Sequence, residues 1–334
     1  MNPPLISVLL PCFNDGEWLD EAVQSVLDQT WPRFEIVIVN DGSTDPATQN
    51  KLRSWAMPRT RVIHSENRGL PGARNLAARH AAGDVYCALD ADDRLAPSWF
   101  EKGMAVLSAR RDLAFVSHWL ETFGDERWTW SPGRCDLPAL LARNTVNGAA
   151  LIRRSAFEAV GGYDEQLRHG CEDWDFWLRL VEQGFQGTIV PEVLFHYRRR
   201  PDSMSRAMTT AGRYRGPLRD LVRRHEQAYR GHLVSVIVAK EAETLELRRE
   251  AARLERDRLL TLEPGLERAR EELDAARAKA ARARVEQQAG EERERLRWEV
   301  GELRREVDDL RRSWSWRVTA PLRWLYARLP RTGA

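Results

Sequence analysis

The sequence predicts an α/β domain with a largely parallel sheet, followed by an α-helical coiled coil. Three observations carry this expectation. Short apolar, β-branched runs alternate with helical periodicity through the first third of the chain. From residue 241 to 312 the composition shifts to Glu, Arg, Ala and Leu, with apolar positions recurring at heptad spacing. The last segment, 313–334, mixes aromatic and basic residues and holds no acid at all.

Residues 5–10 and 34–39 read as buried strands, since both are apolar and bounded by turn formers. Between them Trp18, Leu19, Ala22, Val23, Val26 and Leu27 recur at helical spacing, with Asp15 as the candidate cap. A strand follows over 61–65, a helix over 71–82 stopped by Gly83, a strand over 85–89 and a helix over 97–110. Further on, 113–123 is strand-like, 128–138 is rich in turn formers, 149–153 is a short strand and 155–160 a helix. Residues 173–183 are helical, with Trp174, Trp177, Leu178 and Val181 on one face and Gly184 closing the helix. Residues 188–197 form a final strand interrupted by Pro191. The expected division is a globular domain over 1–210, a helical linker over 211–240, a coiled coil over 241–312 and a tail over 313–334.

In the coiled-coil segment, Leu266, Ala269, Leu273, Ala276, Ala280 and Ala283 step by threes and fours. So do Leu296, Val300, Leu303, Val307 and Leu310. This pattern suits pairing with a second copy, a solvated single helix or a hairpin being the alternative. Pro264-Gly265 breaks or kinks the helix and Gly290 is a weaker interruption. In the tail, Trp314, Trp316, Trp324 and Tyr326 lie among Arg317, Arg323, Arg328 and Arg331. That mixture suits the headgroup layer of an anionic membrane, and docking onto the protein itself is the competing reading.

Charge and cysteine bound the function classes. The 334 residues carry 52 Lys+Arg against 50 Asp+Glu, a net charge of +2, which argues against a nucleic-acid partner. Cys12, Cys87, Cys135 and Cys171 lie far apart without metal-ligand spacing, so neither a zinc site nor a disulfide framework is expected. A reducing, cytoplasmic setting follows. The N-terminus lacks the basic region of a signal peptide, and no stretch reaches the roughly 18 apolar residues of a membrane span.

Acids gather where open α/β sheets place their ligands, after the strands. They form Asp41-Gly42-Ser43-Thr44-Asp45 and Asp90-Ala91-Asp92-Asp93, with Pro11-Cys12-Phe13-Asn14-Asp15 after the first strand. Carboxylates this dense call for a cation, and an oxygen-ligated Mg²⁺ or Mn²⁺ bridging a diphosphate meets the need. Simpler roles are open for some of them: Asp45 as a helix cap, Asn14 as a turn former, Asp93 as a solvated acid.

The chain resembles the family 2 glycosyltransferases, which have the GT-A fold, a Rossmann-like nucleotide-diphospho-sugar transferase domain with a D-x-D metal motif. The resemblance spans about residues 5–205. It rests on Ser7-Val8-Leu9-Leu10-Pro11-Cys12-Phe13-Asn14, Ile38-Val39-Asn40-Asp41-Gly42-Ser43-Thr44-Asp45, Asn67-Arg68-Gly69-Leu70-Pro71-Gly72-Ala73-Arg74-Asn75, Leu89-Asp90-Ala91-Asp92-Asp93, Gly161-Gly162-Tyr163-Asp164 and Glu172-Asp173-Trp174-Asp175. It implies that Pro11 and Phe13 line the base and ribose pocket, that Asp41 hydrogen-bonds the base and that Arg74 lies near the nucleotide. Asp90 and Asp92 would hold ribose and metal, Asp92 by direct coordination.

Inverting transfer needs a base for the acceptor hydroxyl. The resemblance implies Asp173, with Glu172 and Asp175 as competitors. His196 has two readings, a third metal ligand or a strand-end histidine. Arg198-Arg199-Arg200 correspondingly reaches the diphosphate or forms a solvated basic turn. By resemblance, residues 201–205 form a loop that closes over the donor. Trp99, Trp128, Trp130 and Trp174 are candidates for stacking on sugars, or core residues; Glu172 and Trp174 are placed on the acceptor side, and acceptor recognition is expected within 119–147. Residues 313–323 resemble a short motif that follows coiled coils in bacterial surface-polysaccharide glycosyltransferases.

The expected function is an inverting, metal-dependent glycosyltransferase. It moves a sugar from a UDP, dTDP or GDP sugar to a glycan or lipid-linked glycan, with a homo-oligomer through the coiled coil and peripheral contact at the cytoplasmic face of the inner membrane. The alternative is a non-catalytic nucleotide-sugar-binding scaffold. A nucleotidyltransferase would carry a Gly-rich basic loop after the first strand, and Pro11-Cys12-Phe13-Asn14 is not one.

Overall fold

A computed structural model describes residues 3–168, 170–200, 214–260 and 268–312. The chain divides into two compact units, Met1–Ala242 and Glu243–Ala334. The first is built on a mixed sheet. Strands β1 (Ile6–Cys12), β2 (Phe34–Asp41), β3 (Thr60–Ser65) and β4 (Val85–Ala88) pair in parallel in the order β3-β2-β1-β4. The sheet continues through β8 (Leu151–Arg153), β6 (Leu113–Gly124), β9 (Gln186–Arg199) and β5 (Arg94–Leu95), with β7 (Thr129–Trp130) paired to β6. β8 runs antiparallel to both of its neighbours, so only the first half has the fully parallel character that the apolar runs suggest.

Both faces of β1 and β2 are buried, which is why these two strands are apolar at nearly every position rather than at alternate ones, while β3 at the sheet edge is only half-buried. Ile6, Val8 and Leu10 of β1 and Ile36 and Ile38 of β2 enter one core, with helices α1 (Leu19–Leu27) and α4 (Trp99–Ala109). Leu9, Val37 and Val39 enter the other, with α3 (Gly69–His80) and α7 (Glu172–Glu182). The shorter helices are α2 (Pro46–Arg53), α5 (Leu137–Ala142) and α6 (Arg154–Ala159).

Several local expectations change. The N-cap residue of α1 is Trp18, not Asp15, whose carbonyl accepts from the Trp18 N–H at 3.1 Å. The segment 128–138, read as turns, contains β7 and the start of α5, which Asp136 caps by accepting from the Ala139 N–H at 3.1 Å. Pro191 does not interrupt β9. The pairing with β6 skips from His118↔Val190 to Trp119↔Val193, a bulge that leaves Pro191 and Glu192 out of the ladder.

Residues 211–240, expected as a linker, belong to the first unit. Within α8 (Arg215–Arg224) and the first turns of α9 (Glu226–Leu260), Leu221, Tyr229 and Val236 are buried in the α7 core. His225, between them, is buried with Nε2 3.2 Å from Asp175 Oδ1 and Nδ1 2.8 Å from Glu182 Oε2. Desolvation opposes its charge, but the hydrogen bonds to Asp175 and Glu182 outweigh it and raise its pKa to about 9. A folded-state pKa above the unfolded ~6.5 contributes stability that is complete below pH ~6.5 and lost as pH rises through about 9. Replacing His225→Ala should therefore cost about 3 kcal/mol at pH 6 and clearly less at pH 10, read by urea unfolding at the two pH values.

The second unit is helical, with the remainder of α9 and α10 (Arg268–Arg312). Pro264-Gly265 lies outside the described residues, between the two helices, and α10 continues through Gly290. Charges pair along α10, with Arg295 2.6 Å from Glu292 and Arg305 3.2 Å from Glu302. Residues 313–334, and with them the expected membrane-binding tail, lie outside the described residues. Among the described residues, no helix is long and apolar enough to cross a membrane.

Candidate active site

A cleft of about 960 Å³ opens at the carboxyl ends of β1, β2 and β4. Its lining includes Pro11, Phe13, Asp41, Arg74, Asp90, Asp92, Glu172 and Asp173, eight of the ten residues singled out from the sequence. The loop after β1 is tied to the loop after β2 by Asn14, whose φ of 61° turns the chain back. Its Oδ1 accepts from the N–H groups of Thr44 (2.7 Å) and Asp45 (2.9 Å), so Asn14 fixes two loops, not only its own turn. Asp45 caps α2, its carboxylate accepting from the Thr48 N–H at 2.7 Å. Gly42 has φ +69°, and a Cβ there would lie 2.6 Å from the Asn67 nitrogen, so the loop before α3 packs directly on the Asp41-Gly42 turn. Through that contact Asp41 Oδ1 accepts from the Arg68 N–H at 2.7 Å. Burial raises the Asp41 pKa, opposed by the Arg68 and Gly69 N–H groups.

Arg74 organises the centre. It is buried, with Nη2 2.7 Å from Asp90 Oδ1 and Nη1 3.0 Å from Glu172 Oε1, and its guanidinium lies over the Tyr163 ring at 5.3 Å. One cation thus joins the acid cluster after β4 to the acid pair that opens α7. Desolvation works against its charge, but Asp90 and Glu172 outweigh that and raise its pKa.

Asp92 faces Arg200, with Nη2 3.1 Å away, and Arg200 Nη1 lies 2.8 Å from Asp15. Burial, followed by repulsion from Asp90, lifts the Asp92 pKa to about 6 against the pull of Arg200. Asp93, expected to be solvated, is instead buried and accepts from the Arg198 N–H at 2.8 Å. Arg198 is structural as well: its Nε donates to the Asp92 carbonyl at 2.8 Å, and its guanidinium stacks over Trp18 (4.1 Å) and Phe123 (4.4 Å). Of the basic triplet, Arg199 and Arg200 line the cleft. Residues 201–205, read as a closing loop, lie outside the described residues.

The three acids of α7 part ways. Asp173 is half-buried in the cleft wall, its Oδ2 accepting from Asn144 Nδ2 at 3.0 Å and its Oδ1 from the Trp174 N–H at 2.7 Å. Burial raises its pKa, with Arg74, the Trp174 N–H and Asn144 opposing. Glu172 is buried against Arg74, its pKa pushed up to about 7 by burial and then by Asp173. Asp175 points to the far side of the helix, where it is committed to Arg179 (2.7 Å) and His225. Cys171, just before the helix, has φ 64°, and burial pushes its thiol up to about 12, which removes it as a nucleophile.

Two residues singled out from the sequence lie elsewhere. Strand alternation turns Phe195 and Tyr197 of β9 into the cleft and His196 out of its lining. His196 Nδ1 lies 4.0 Å from Glu121 Oε2. Trp174 is a core residue whose Nε1 donates to the Leu140 carbonyl at 2.6 Å, and Trp99 likewise donates to Ala149. Of the candidate stacking tryptophans, Trp128 and Trp130 line the cleft. Asn144 and Tyr214 line it too and have no motif to announce them.

The arrangement therefore offers hard oxygen ligands and aromatic walls at one end and a desolvated carboxylate at the other. Comparison with known proteins agrees with it. Residues 7–161 match the model of glycosyl transferase family 2, and residues 87–249 match that of glycosyl transferase family group 2, which runs on through α8 into α9. A Bacillus subtilis protein named as the glycosyltransferase EpsE is 30% identical over 217 residues, covering 62% of this chain and 77% of that protein. B. subtilis TuaG, named for teichuronic acid biosynthesis, is 29% identical over 209 residues, covering 60% of this chain and 82% of its own length. Among solved structures, S. aureus TarS 1-349 in complex with UDP-GlcNAc shares the fold, with a TM-score of 0.52 at 20% identity over 60% of each chain. With the GT-A sheet, the acid-lined cleft and these matches in hand, the chain belongs to glycosyl transferase family 2 and is a glycosyltransferase.

Proposed function

We propose that this glycosyltransferase moves a sugar, with inversion, from a nucleoside-diphosphate sugar to a glycan or lipid-linked glycan of a bacterial surface polysaccharide. The observation that carries the reading is the Arg74 bridge, which sets Asp90 and the Glu172-Asp173 pair around one cleft. TarS binds UDP-GlcNAc in a related fold, and TuaG is named for an envelope polymer, which supports this donor and acceptor class.

In this reading Phe13, Pro11 and Asp41 hold the nucleoside, and Asp90 holds the ribose. Asp92 would hold a Mg²⁺ or Mn²⁺. The residues fit such a cation. Among the described residues no group of three or more His, Cys, Asp or Glu forms a metal cage, while Asp92 is a desolvated hard oxygen donor beside Asp90 and Asp15. One carboxylate with diphosphate oxygens completing the shell suits these metals. When bound, the metal offsets charge on the leaving diphosphate.

Asp173 takes the acceptor's proton as the acceptor oxygen bonds to the anomeric carbon. The bond from that carbon to the diphosphate oxygen breaks, and its electron pair leaves with the diphosphate. Asn144 and the Trp174 N–H orient the carboxylate, and burial raises its basicity above that of an exposed Asp. Glu172, paired with Arg74, positions the guanidinium rather than taking protons.

We also propose that the heptad pattern of the second unit pairs two copies, and that 313–334 holds the enzyme at the cytoplasmic face of a membrane that presents the acceptor.

The test is nucleoside diphosphate release from a panel of UDP, dTDP and GDP sugars with Mn²⁺ or Mg²⁺. Wild type should release with at least one donor, and Asp92→Asn should lose at least about 10²-fold in rate. No release or binding with any sugar nucleotide would overturn the reading.

A further inference from the structure

Among the described residues before α8, the exposed large hydrophobic side chains are Phe13 (43% exposed) and Trp128 (45%), and both line the cleft. They lie on different parts of the sheet. Phe13 follows β1, beside the donor acids. Trp128 precedes β7, which pairs with β6, three places from β1 in the order β1-β4-β8-β6. An exposed indole is ordinarily free to move, yet the backbone of Trp128 is fixed. Its N–H donates to Thr122 Oγ1 at 2.8 Å, and its carbonyl accepts from the Thr122 N–H at 2.9 Å, with Thr122 fully buried. The wall continues through Trp130, which packs on the first core, and through Asn147, which is nine-tenths buried with Oδ1 lacking a hydrogen-bond partner. On the α7 side Tyr214, at the start of α8, shares a hydrogen bond with Cys171 and lies within electrostatic reach of Asp173.

We infer that this wall is the acceptor subsite and that it takes a pyranose ring, whose axial C–H face stacks on Trp128 while a hydroxyl is directed toward Asp173. The inference rests on the transfer reading above. Three features favour a sugar over a purely apolar occupant. The exposed indole, carried on a backbone held at both its N–H and its carbonyl, offers a flat apolar face with a polar edge, which suits a ring that is apolar on one side and hydroxylated around its rim. Asn147 brings an amide oxygen without a hydrogen-bond partner to the same lining, where a lipid chain would find no use for it. A cleft of about 960 Å³ also lies at the upper end for small-ligand sites, leaving room beyond a single ligand.

The subsite is tested on the full chain by saturation-transfer NMR with methyl pyranosides of glucose, galactose, N-acetylglucosamine and rhamnose, in the presence of UDP and Mn²⁺. The expected result is binding of at least one of them with saturation strongest on ring-face protons. Trp128→Ala should weaken that binding by about tenfold and Trp128→Phe should restore most of it, with the UDP dissociation constant unchanged in both. Pyranoside binding undiminished in Trp128→Ala overturns the subsite, as does the absence of pyranoside binding in a wild-type protein that holds UDP. Failure of the wild type to bind UDP, or any other nucleoside diphosphate, overturns the donor reading itself, and the two failures are told apart by that one measurement.

Discussion

Asp173→Asn should reduce sugar transfer by about 10³-fold while leaving the donor dissociation constant within about twofold of wild type. The amide keeps the size of the carboxylate and its place beside Asn144 and the Trp174 N–H, so the geometry of the wall survives and only the proton acceptor goes. Of the three acids in the motif, Asp173 alone is half-exposed to the cleft, with Glu172 bound to Arg74 and Asp175 to Arg179 and His225. The pH profile supplies an independent sign. Burial raises the Asp173 pKa, and a base works only when deprotonated, so kcat should fall with decreasing pH through a value higher than that of an exposed aspartate. Single-turnover transfer measured across pH, with donor affinity by calorimetry, reads both effects. Turnover retained in the Asn variant would remove Asp173 from the role of base.

Arg74→Met should cost about 3–5 kcal/mol of unfolding free energy. The buried guanidinium is shared by Asp90 and Glu172, and its loss leaves Glu172 buried without a counter-charge. Glu172, whose pKa is already pushed up to about 7, would respond by holding its proton to higher pH. Adding Glu172→Gln to Arg74→Met should therefore recover part of the loss, because it removes the charge that the first substitution strands. Urea unfolding of the two single variants and the double variant measures this coupling. A loss under about 1 kcal/mol for Arg74→Met would show that the bridge does not hold the site together.

Much of this was legible in the sequence, for physical reasons that can be named. The strands β1 and β2 at the centre of the parallel half are buried on both faces, so they had to be nearly continuous apolar runs. The loops that end those strands had to carry acids and turn formers, and Asn14, Asp41 and Gly42 stand where the loops lock together. What escaped depends on tertiary pairing. Nothing local to Arg200 says that it will face Asp92 and Asp15, or to Asn144 that it will hold Asp173.

Some signals were present but carried two meanings. The helical spacing that grouped Trp174 with Trp177 and Leu178 was the signature of a core face, and the structure buries all three. The alternation of β9 separates His196 from Phe195 and Tyr197 by the same logic. Residues 211–240 read as a helical linker, yet Leu221 of α8 and Tyr229 and Val236 of α9 all enter the α7 core, across a helix end at His225 and a kink at His232 that the sequence pattern does not announce. The short elements β7 and α5 sit in a segment dense in Pro, Gly and polar residues, too brief to show a period.

The most direct test of the whole reading is a crystal structure of the protein with the preferred nucleoside diphosphate and Mn²⁺, using the anomalous signal to place the metal. The expected result is manganese on the Asp92 carboxylate and the diphosphate, with the base between Phe13 and Asp41 and Asp173 open on the other side. Manganese away from Asp92, or a nucleotide bound outside this cleft, would contradict it.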